Sequence, residues 1–565
     1  MDLKWEILDN NSFDQVNALS VLLNVHPIIA KILLKRGINN LEKAKKFFRS
    51  PLDNLYDPFL MKDMEKAVNR LRRAVLSEEQ ILIYGDYDVD GITSISFLYL
   101  LLKELGVKVI YYIPDRQLEG YGLSDKGIIF AKENNVDLIV TVDCGVTGHK
   151  EIDLANQLGM DVIVSDHHEP MPELPNAIAV LDPKRPDCSY PFKQLAGVGV
   201  TYKLAQGLLT KMNIDLSILE SYTDLVAIGT SADIVPLIDE NRVLVKHGLV
   251  KLNETENIGL AALLNAANLK NREISTGQIV FIIAPRINAV GRMGDAERAV
   301  RLLTTTDAGE ACAIAAILEE ENRNRKSVDE ETFIDALVQA EQYFVPEETR
   351  TLVLHKNGWH SGVIGIVASR VVEKFYRPTV LISLDDGFGK GSARSIEGFD
   401  LYDALKNCKD LLLGFGGHKY AAGLTIKEEK IQAFRNRFEE IAAERVQIED
   451  LIPKLSIECE LKLGEITAPL LKLLKMFAPF GPQNMRPIFV SHNCEVVGTP
   501  TVLGGNHLKF RIRQNGQIFE VIGFNMSDLS YRLNPGRCNL DLAYVIEENH
   551  YMGKRTIQLR AKDLR

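Results

Sequence analysis

The 565-residue chain has an ordinary globular composition, with 46% hydrophobic and 25% charged residues. These proportions exclude collagen-like, coiled-coil and wholly disordered proteins, and at about 150 residues per domain the length predicts three or four domains. The net charge of -10 disfavours a nucleic-acid partner unless basic residues concentrate in one segment.

Residues 1–75 are predicted to form a helical N-terminal annex. Apolar residues recur at helical spacing in VNALSVLLNVHPIIAKILLKRG and again in MEKAVNRLRRAV, which is typical of helices that bury one face. We expect this annex to serve as a packing segment for the domains that follow it.

Residues 76–305 have the pattern of an α/β domain with a mostly parallel, doubly wound sheet. Five short β-branched runs alternate with helical stretches, namely ILIYGDYD, KVIYYIP, DLIVTVD, DVIVSDHH and AIAVLDP. Ligands of such sheets bind at the carboxyl ends of the strands. Because several runs end in Asp or Asp-His, acidic and imidazole side chains are predicted to stand where a site is expected.

A long helix is predicted to connect this domain to a second, smaller α/β domain. The connecting segment, residues 306–346, is rich in Ala, Glu, Asn and Arg, and between Asp307 and Phe344 its only Gly or Pro is Gly309. The smaller domain is predicted over residues 347–450, from TLVLHKN to beyond the glycine-dense GFGGHKYAAGL.

Residues 451–565 are predicted to form a small β-barrel. Short alternating strands are separated by turn signals such as LGGN, RQNG and NPGR. This segment holds 15 Lys and Arg against 10 Asp and Glu, so it is basic while the rest of the chain is acidic. Its strands mix basic and aromatic side chains, as platforms for single-stranded nucleic acid do. The candidates are Phe510, Arg511, Arg513, Phe519 and Phe524. The alternative for half of them is a place in the barrel core, because inward and outward residues alternate along a strand.

The cysteines and the N-terminus bear on the cellular compartment. Seven cysteines are widely scattered without a C-x-x-C pair, which argues against disulfides and against a structural zinc site. No run reaches the roughly 18 apolar residues that span a bilayer, and MDLKWEILDN lacks the basic and apolar segments of a signal peptide. We therefore expect a cytoplasmic protein with no membrane partner.

The segment ILIYGDYDVDG carries the first chemical signature. It places Asp86, Asp88 and Asp90 at alternate positions after a buried strand, so the side chains share a face. Crowded carboxylates repel one another unless a proton or a cation neutralises them, which favours a hard divalent cation. The alternative is an Asp-rich turn that caps a helix starting near Thr93.

Further candidate ligands follow other strands of the same sheet. Asp143 follows IVTV, and Asp166, His167 and His168 follow VIVS. Asp233 in GTSADIVPL is a further candidate, although alone it would be an ordinary helix or turn residue. Carboxylates mixed with imidazole suit manganese, with magnesium or zinc as alternatives.

Together, GDYDVDG, VDCG, SDHH and LVAIGTSADIVPL resemble the DHH phosphoesterase superfamily and, within it, the RecJ family of exonucleases. The resemblance continues in family order through PRINAVGRMGDA, WHSGVIGIVASR, GSARS, GGHKYAAG and PFGPQNMRP, and so covers nearly the whole chain. It implies a DHH catalytic domain over residues 76–305, a DHHA1 substrate-binding domain over 347–450 and an OB-fold over 451–565.

The resemblance implies a phosphodiesterase centre with two divalent ions, Mn²⁺ or Mg²⁺, which activate a water for attack on phosphorus. By position it assigns one ion to Asp86 and Asp143, and the other to Asp88, Asp143, His167 and Asp233. His168 would face the scissile phosphate or support a ligand, and the role of Asp90 stays open. Many superfamily members have a His where this chain has Leu82, so the first ion is expected to bind more weakly.

The resemblance also implies a set of substrate-binding residues. By position these are Arg116, Arg286, Asn288, Arg292, Ser392, Arg394, Gly416, Gly417 and His418. Arg116, Ser392 and Arg394 would hold the 5′-terminal phosphate, for which guanidinium forks are suited. The three residues of PRINAVGR would neutralise phosphate oxygens or simply fix a loop, and the glycines would let the backbone approach a nucleotide.

The resemblance implies a metal-dependent exonuclease that degrades single-stranded DNA from its 5′ end to 5′-mononucleotides in DNA repair and recombination. A narrow channel between the two α/β domains would exclude duplex DNA. The resemblance also implies a monomer that works with a single-strand binding protein and a RecQ-type helicase.

Two alternatives stay open. A DHH phosphodiesterase of short oligonucleotides or cyclic dinucleotides shares the motifs, but such enzymes lack the OB tail and the N-terminal annex. A catalytically inactive single-strand-binding scaffold is the second alternative. The intact array of acidic residues and His167 argues against it, because a scaffold needs no such array.

Overall fold

The computed structural model describes residues 3–8, 12–115, 118–293, 295–551 and 553–565. Arg116 therefore lies outside the described residues. The chain divides into two compact units. One comprises Met1–Leu8 and Asn322–Ile457, and the other comprises Asp9–Glu321 and Glu458–Arg565.

The N-terminal segment is helical after one short strand. Its elements are β1 (Lys4–Ile7), α1 (Phe13–Leu23), α2 (Pro27–Lys35), α3 (Leu41–Arg49) and α4 (Met64–Leu76). The strand departs from the helical annex predicted over residues 1–75, because it pairs in parallel with residues 454–457. Four residues cannot nucleate a stable helix, whereas a strand satisfies its backbone groups on a neighbouring strand.

The helices of this segment divide between two hydrophobic cores. Leu19 of α1 and Ile29 of α2 are buried in one core with Phe477 and Leu542 near the C-terminus, whereas Leu71 of α4 belongs to the core of the parallel-sheet domain. No single described helix is long and apolar enough to cross a membrane, and the bent pair α1 and α2 meets that test only as a pair.

The parallel-sheet domain begins with five strands. Its first elements are β2 (Ile81–Gly85), α5 (Val89–Glu104), β3 (Val109–Tyr112), α6 (Asp125–Glu133), β4 (Leu138–Val142), α7 (His149–Gln157), β5 (Asp161–Ser165) and β6 (Ala179–Leu181). All pairings are parallel, in the order β3-β2-β4-β5-β6. β2 and β4 are buried along their whole length, because helices cover both faces of such a sheet.

Helices complete this domain and lead out of it. They are α8 (Gly197–Met212), α9 (Thr223–Ala232), α10 (Asp239–Asn253), α11 (Ile258–Ala266), α12 (Thr276–Gln278), α13 (Ala284–Met293), α14 (Glu297–Thr304) and α15 (Ala308–Tyr343). A π-helical turn, Ile279–Ile283, joins α12 to α13. α15 has 36 residues and is the long connecting helix of the predicted architecture.

The smaller domain is a five-stranded mixed sheet with helices. Its elements are β7 (Leu352–Asn357), α16 (Ile364–Phe375), β8 (Thr379–Asp385), β9 (Phe388–Arg394), α17 (Leu401–Lys406), β10 (Leu412–Gly417), β11 (Ala421–Lys427) and α18 (Ile431–Arg445). The strand order is β10-β11-β9-β8-β7. Only β7 and β8 pair in parallel, and the other neighbours are antiparallel.

The C-terminal segment forms a closed barrel. Its elements are β12 (Lys454–Ile457), β13 (Cys459–Glu460), α19 (Ala468–Lys475), β14 (Phe489–Leu503), β15 (His507–Gln514), β16 (Gln517–Gly523), β17 (Cys538–Tyr551) and β18 (Lys554–Leu564). The ring runs β14-β15-β16-β18-β17 and closes because β17 also pairs with β14. The predicted fold class, a parallel-sheet domain, a long helix, a smaller α/β domain and a barrel, is thereby confirmed.

Candidate active site

Four candidate ligands lie at one edge of the parallel sheet. Asp86 directly follows β2, Asp143 directly follows β4, and His167 follows β5 by two residues. Since β2, β4 and β5 are neighbours in register, their carboxyl ends meet at the same edge. Asp233 arrives from outside the sheet as the residue that caps the C-terminus of α9.

His167 stands at the centre of this group. Its Nε2 lies 3.1 Å from Oδ1 of Asp143, 3.6 Å from Oδ2 of Asp233 and 4.0 Å from Oδ2 of Asp90. Asp86, Asp88 and Asp143 form a neighbouring group whose ligand atoms lie within 4.8 Å of one another. Asp143 belongs to both groups, as the sequence resemblance implies for a residue shared by two ions.

Asp88 and Asp90 also hold helix ends in place. Asp88 is the N-cap of α5 and accepts hydrogen bonds from the amides of Asp90 and Gly91 at 2.9 and 3.1 Å. Asp90 accepts from the amides of Gly197 and Val198 at the start of α8, at 2.7 and 2.9 Å. The capping alternative is therefore present alongside the acidic cluster, and α5 begins at Val89 rather than near Thr93.

Glycines let the helices approach the carboxylates closely. A Cβ on Gly197 would lie 2.4 Å from Oδ1 of Asp143, and one on Gly229 of α9 would lie 2.3 Å from Oγ1 of Thr93 and 2.9 Å from Oδ1 of Asp90. Side chains at these positions would displace the acidic residues, so glycine is a packing requirement of the site.

Burial and mutual repulsion perturb these groups strongly. Both effects raise the pKa of Asp90 to about 7 and hold the pKa values of Asp143 and Asp233 well above the usual range. Burial lowers the pKa of His167 to about 3, so its imidazole is neutral at pH 7. Neutral imidazole and crowded carboxylates form a donor set that a divalent cation would stabilise.

Hydrogen bonding supports the same conclusion. Within the described part of the chain, Oδ1 of Asp143 and Nε2 of His167 are buried and lie 3.1 Å apart, yet neither atom makes an aligned hydrogen bond. Such atoms are costly unless something pairs with them. The residues present therefore fit Mn²⁺ or Mg²⁺, and the assignment of ligands to two ions stays a prediction.

A second set of contacts orients His168. Its Nδ1 lies 2.7 Å from Oδ1 of Asp166. The other carboxylate oxygen of Asp166, Oδ2, accepts a hydrogen bond from the amide of Val146. Although burial opposes the charged form, the hydrogen bond and charge of Asp166 raise the pKa of His168 to about 9. The hydroxyl of Tyr121 lies 3.1 Å from the ring nitrogens of His168. Sequence reasoning did not single out Tyr121, because nothing in LEGYGLSD marks it as a contact of the DHH sequence.

Leu82 occupies the place where many superfamily members have a histidine. It is fully buried in β2 and packs in the core on one face of the sheet. An aliphatic side chain offers no ligand atom, which is the reason for expecting weaker binding of the first ion. That weaker binding stays a prediction.

Ser392 and the glycines form a row in the smaller domain. Ser392 of β9 pairs with Gly423, and Gly423 pairs on its other side with Gly416 of β10, so the three lie side by side across the sheet. Gly417 has φ of 139°, a backbone that L side chains rarely adopt, and a Cβ there would lie 2.4 Å from the carbonyl oxygen of Ala421. The exposed His418 follows directly.

Arg394 adjoins this row next to a helix start. Its Nη1 donates to Oγ of Ser392 at 3.1 Å. A Cβ on Gly365, in the first turn of α16, would lie 2.9 Å both from Nη2 of Arg394 and from Oγ of Ser392. A guanidinium, a hydroxyl and the amide end of a helix are donors suited to a phosphate.

The basic residues of α13 divide. Arg286 is buried in α13 and donates through Nε to Glu319 of α15 at 2.6 Å, so in the structure it ties one helix to another. Asn288 is half-buried on the same helix. Arg292 lies in α13, but its side chain is outside the described part of the structure. Substrate contacts by these residues stay predictions.

The barrel exposes only part of its predicted stacking set. Phe510 is buried and Phe519 is partly buried in the barrel core, because neighbouring residues of a strand point to opposite faces. Arg513 is ion-paired with Glu495 at 2.7 Å. Phe524 is 49% exposed, and Arg511 is exposed, so the predicted stacking set keeps an exposed aromatic group and an exposed basic group.

Models of three families match the chain in order. They are the DHH family, N-terminal domain, over residues 80–230, the DHHA1 domain over residues 348–444 and the RecJ OB domain over residues 457–563. These matches confirm the family resemblance seen in the sequence.

Named relatives and solved structures agree with the family models. A single-stranded-DNA-specific exonuclease RecJ of Bacillus subtilis is 39% identical over 99% of this chain and 70% of its own length, and one of Escherichia coli is 34% identical over 94% and 95%. The crystal structure of RecJ from Thermus thermophilus in complex with Mn²⁺ matches 100% of this chain and 79% of its own with a TM-score of 0.86 at 32% identity. A second structure of that protein is in complex with Mg²⁺. The chain therefore belongs to the RecJ family of single-stranded-DNA-specific exonucleases.

Proposed function

We propose that this chain is a metal-dependent exonuclease that hydrolyses single-stranded DNA from the 5′ end and releases 5′-mononucleotides. The observation that carries the proposal is the group around His167, where Asp143 and Asp233 converge within 3.6 Å of a buried ring nitrogen that makes no aligned hydrogen bond in the described chain. The RecJ relatives, named for their specificity for single-stranded DNA, support the choice of substrate.

The residues of the centre divide the work. Asp86, Asp88, Asp143, His167 and Asp233 would hold two divalent ions. When bound, the ions would activate a water and neutralise charge on the phosphate. His168, kept protonated by Asp166 at neutral pH, is suited to donate a hydrogen bond to a phosphate oxygen or to the leaving oxygen.

The smaller domain supplies a reason for attack from an end. Ser392 and Arg394 lie together beside the first turn of α16, and we propose that they receive the 5′-terminal phosphate together with Arg116. A pocket that accepts only a terminal phosphate would restrict cleavage to the end of the strand. The exposed Phe524 and Arg511 of the barrel would contact the strand farther along, by stacking and charge.

The role in the cell is part of the same proposal. Hydrolysis of single strands fits DNA repair and recombination in the cytoplasm, with a single-strand binding protein and a RecQ-type helicase as partners. We propose a monomer, as the resemblance to the family implies.

The test is a cleavage assay on an oligonucleotide labelled at its 3′ end, with Mn²⁺, with Mg²⁺ and with EDTA, beside the same strand in a blunt duplex. A ladder of shortened labelled products from the single strand, absent in EDTA, is expected. Immediate release of a labelled mononucleotide would reverse the proposed polarity, and binding without cleavage would favour the scaffold alternative.

Asp143→Ala should abolish cleavage, by at least about a thousandfold, because it removes the carboxylate shared by both acidic groups. DNA binding, measured by fluorescence anisotropy, should stay detectable. Asp153→Ala is the matched control, since Asp153 is an exposed carboxylate of α7, and it should cleave normally. Turnover by Asp143→Ala close to that of the unsubstituted protein would contradict the shared-ligand assignment.

A further inference from the structure

The residue after Asp233 has an unusual backbone for its type. α9 ends at Ala232, and Asp233 caps its C-terminus with φ of -74°. Ile234 follows with φ of 60°, the left-handed conformation that commonly ends a helix. Glycine or asparagine usually occupies that place, because a β-branched side chain is disfavoured there.

Backbone hydrogen bonds of residues before and after Ile234 in the sequence fix this conformation. The amide of Asp233 donates to the carbonyl oxygen of Gly229 at 3.0 Å, and the amide of Leu237 donates to the carbonyl oxygen of Pro482 at 2.9 Å. Leu237 is buried, with 2% of its surface exposed. Strain of this kind persists where the surroundings fix the backbone, and it concentrates at functional sites.

The side chain of Ile234 adds little to the protein core. It is 62% exposed, so a glycine would suit the backbone better and a polar residue would suit the solvent better. The adjacent Asp233 has Oδ2 3.6 Å from Nε2 of His167. An exposed apolar side chain on a strained backbone therefore stands one residue from the acidic cluster.

We propose that Ile234 is a substrate-positioning residue that packs against a nucleobase next to the scissile phosphate. The inference rests on the proposed function and adds a contact to it. Consecutive Cα atoms are about 3.8 Å apart, so a strand whose phosphate lies at Asp233 brings an adjoining nucleotide within reach of Ile234. An apolar contact with the face of a base is independent of sequence, because every base has such a face.

The test separates a base contact from a structural role. Ile234→Gly and Ile234→Asn relieve the backbone, and Ile234→Val keeps an apolar branched side chain. The substrates are a 5′-phosphorylated single strand and the same strand with its first two nucleotides abasic. The readouts are single-turnover release of the first nucleotide against enzyme concentration, and the thermal midpoint Tm.

On the normal strand, Ile234→Gly and Ile234→Asn should raise the half-saturating concentration about tenfold, the loss of one base contact. On the abasic strand they should differ less than about twofold from the unsubstituted protein. Their Tm should be unchanged or higher, and Ile234→Val should behave normally. Val250→Ala removes a similarly exposed β-branched side chain, 64% exposed on α10. It should leave the half-saturating concentration unchanged on both strands.

Three results would overturn the proposal: an equal loss on both strands, a lower Tm for Ile234→Gly, or unaltered kinetics on the normal strand. Failure of the unsubstituted protein to cleave either strand would instead defeat the proposed function, so the two failures are distinguishable.

Discussion

Asp182 is a buried carboxyl near the active site whose pKa affects the free energy of unfolding. It follows β6 and is fully buried; its Oδ1 accepts from the amide of Lys184 at 2.7 Å. Its Oδ2 has no hydrogen-bond partner within the described residues. Burial, together with the charge of Asp166, raises the pKa of Asp182 to about 7.

This pKa shift predicts a pH dependence of stability. A carboxyl whose pKa is raised in the folded state binds its proton more tightly there than in the unfolded chain. The free energy of unfolding therefore falls as the pH rises from about 4 to about 7. Asp182→Asn cannot ionise and should remove that fall. The gain in the free energy of unfolding should be larger at pH 8 than at pH 5, by about 2 kcal/mol.

Thermal unfolding in EDTA at the two pH values measures this difference for Asp182. Asp153→Asn is the control, because Asp153 is exposed, and should shift Tm equally at both. An Asp182→Asn variant whose gain is the same at pH 5 and pH 8 would contradict the assigned protonation.

At the scale of elements, the start of α8 is bonded to one acidic residue and leaves space for a second. Asp90 accepts hydrogen bonds from the first amides of the helix, while Gly197 gives Asp143 the space it occupies. The helix end and the acidic cluster therefore depend on each other, although Asp90 and Gly197 lie far apart in sequence.

Gly197→Ala should disturb both the start of α8 and the acidic cluster. Its Cβ would lie 2.4 Å from Oδ1 of Asp143, so either the carboxylate or the helix must move, at a cost of about 1–3 kcal/mol. We expect lower Tm and at least about tenfold weaker Mn²⁺ binding by isothermal titration calorimetry. Gly199→Ala, on the same helix and meeting only the side chain of Leu195 at 3.2 Å, should bind Mn²⁺ nearly normally. Equal Mn²⁺ affinity for the two variants would show that the space beside Asp143 is unimportant.

At the scale of the molecule, a buried arginine joins the parallel-sheet domain to the barrel. Arg242 of α10 is 2% exposed. It donates to the carbonyl oxygens of Phe477 at 2.8 Å and Pro479 at 3.3 Å, and its guanidinium lies 3.9 Å from the ring centre of Phe47 in α3. One side chain thus holds the end of α19, the N-terminal helices and the catalytic domain together.

Arg242→Met should uncouple these parts. The loss of hydrogen bonds to buried carbonyl oxygens should cost about 3 kcal/mol. By differential scanning calorimetry, we expect the barrel with α1–α3 to unfold before the parallel-sheet domain. Lys251→Met removes an exposed ion pair of the same helix, with Glu256, and should change Tm little. An unchanged calorimetric profile for Arg242→Met would mean that the shared hydrophobic core alone joins the parts.

The parallel sheet, the long helix, the barrel and the acidic residues at the strand ends could all be predicted from the amino-acid sequence. These features follow from local periodicity, since strands of a parallel sheet are apolar throughout and their polar residues come at the ends. Asp86, Asp143 and His167 could therefore be placed at one edge before any tertiary contact was known.

The partners that those residues contact could not be predicted in this way, because they depend on how distant segments pack. Asp90 holds the start of α8, Tyr121 contacts His168, and helices α1 and α2 pack into the barrel core. Ile234 takes a backbone conformation that its residue type disfavours. Each depends on contacts between segments distant in sequence, and local pattern cannot specify such contacts because packing free energy overrides local preference.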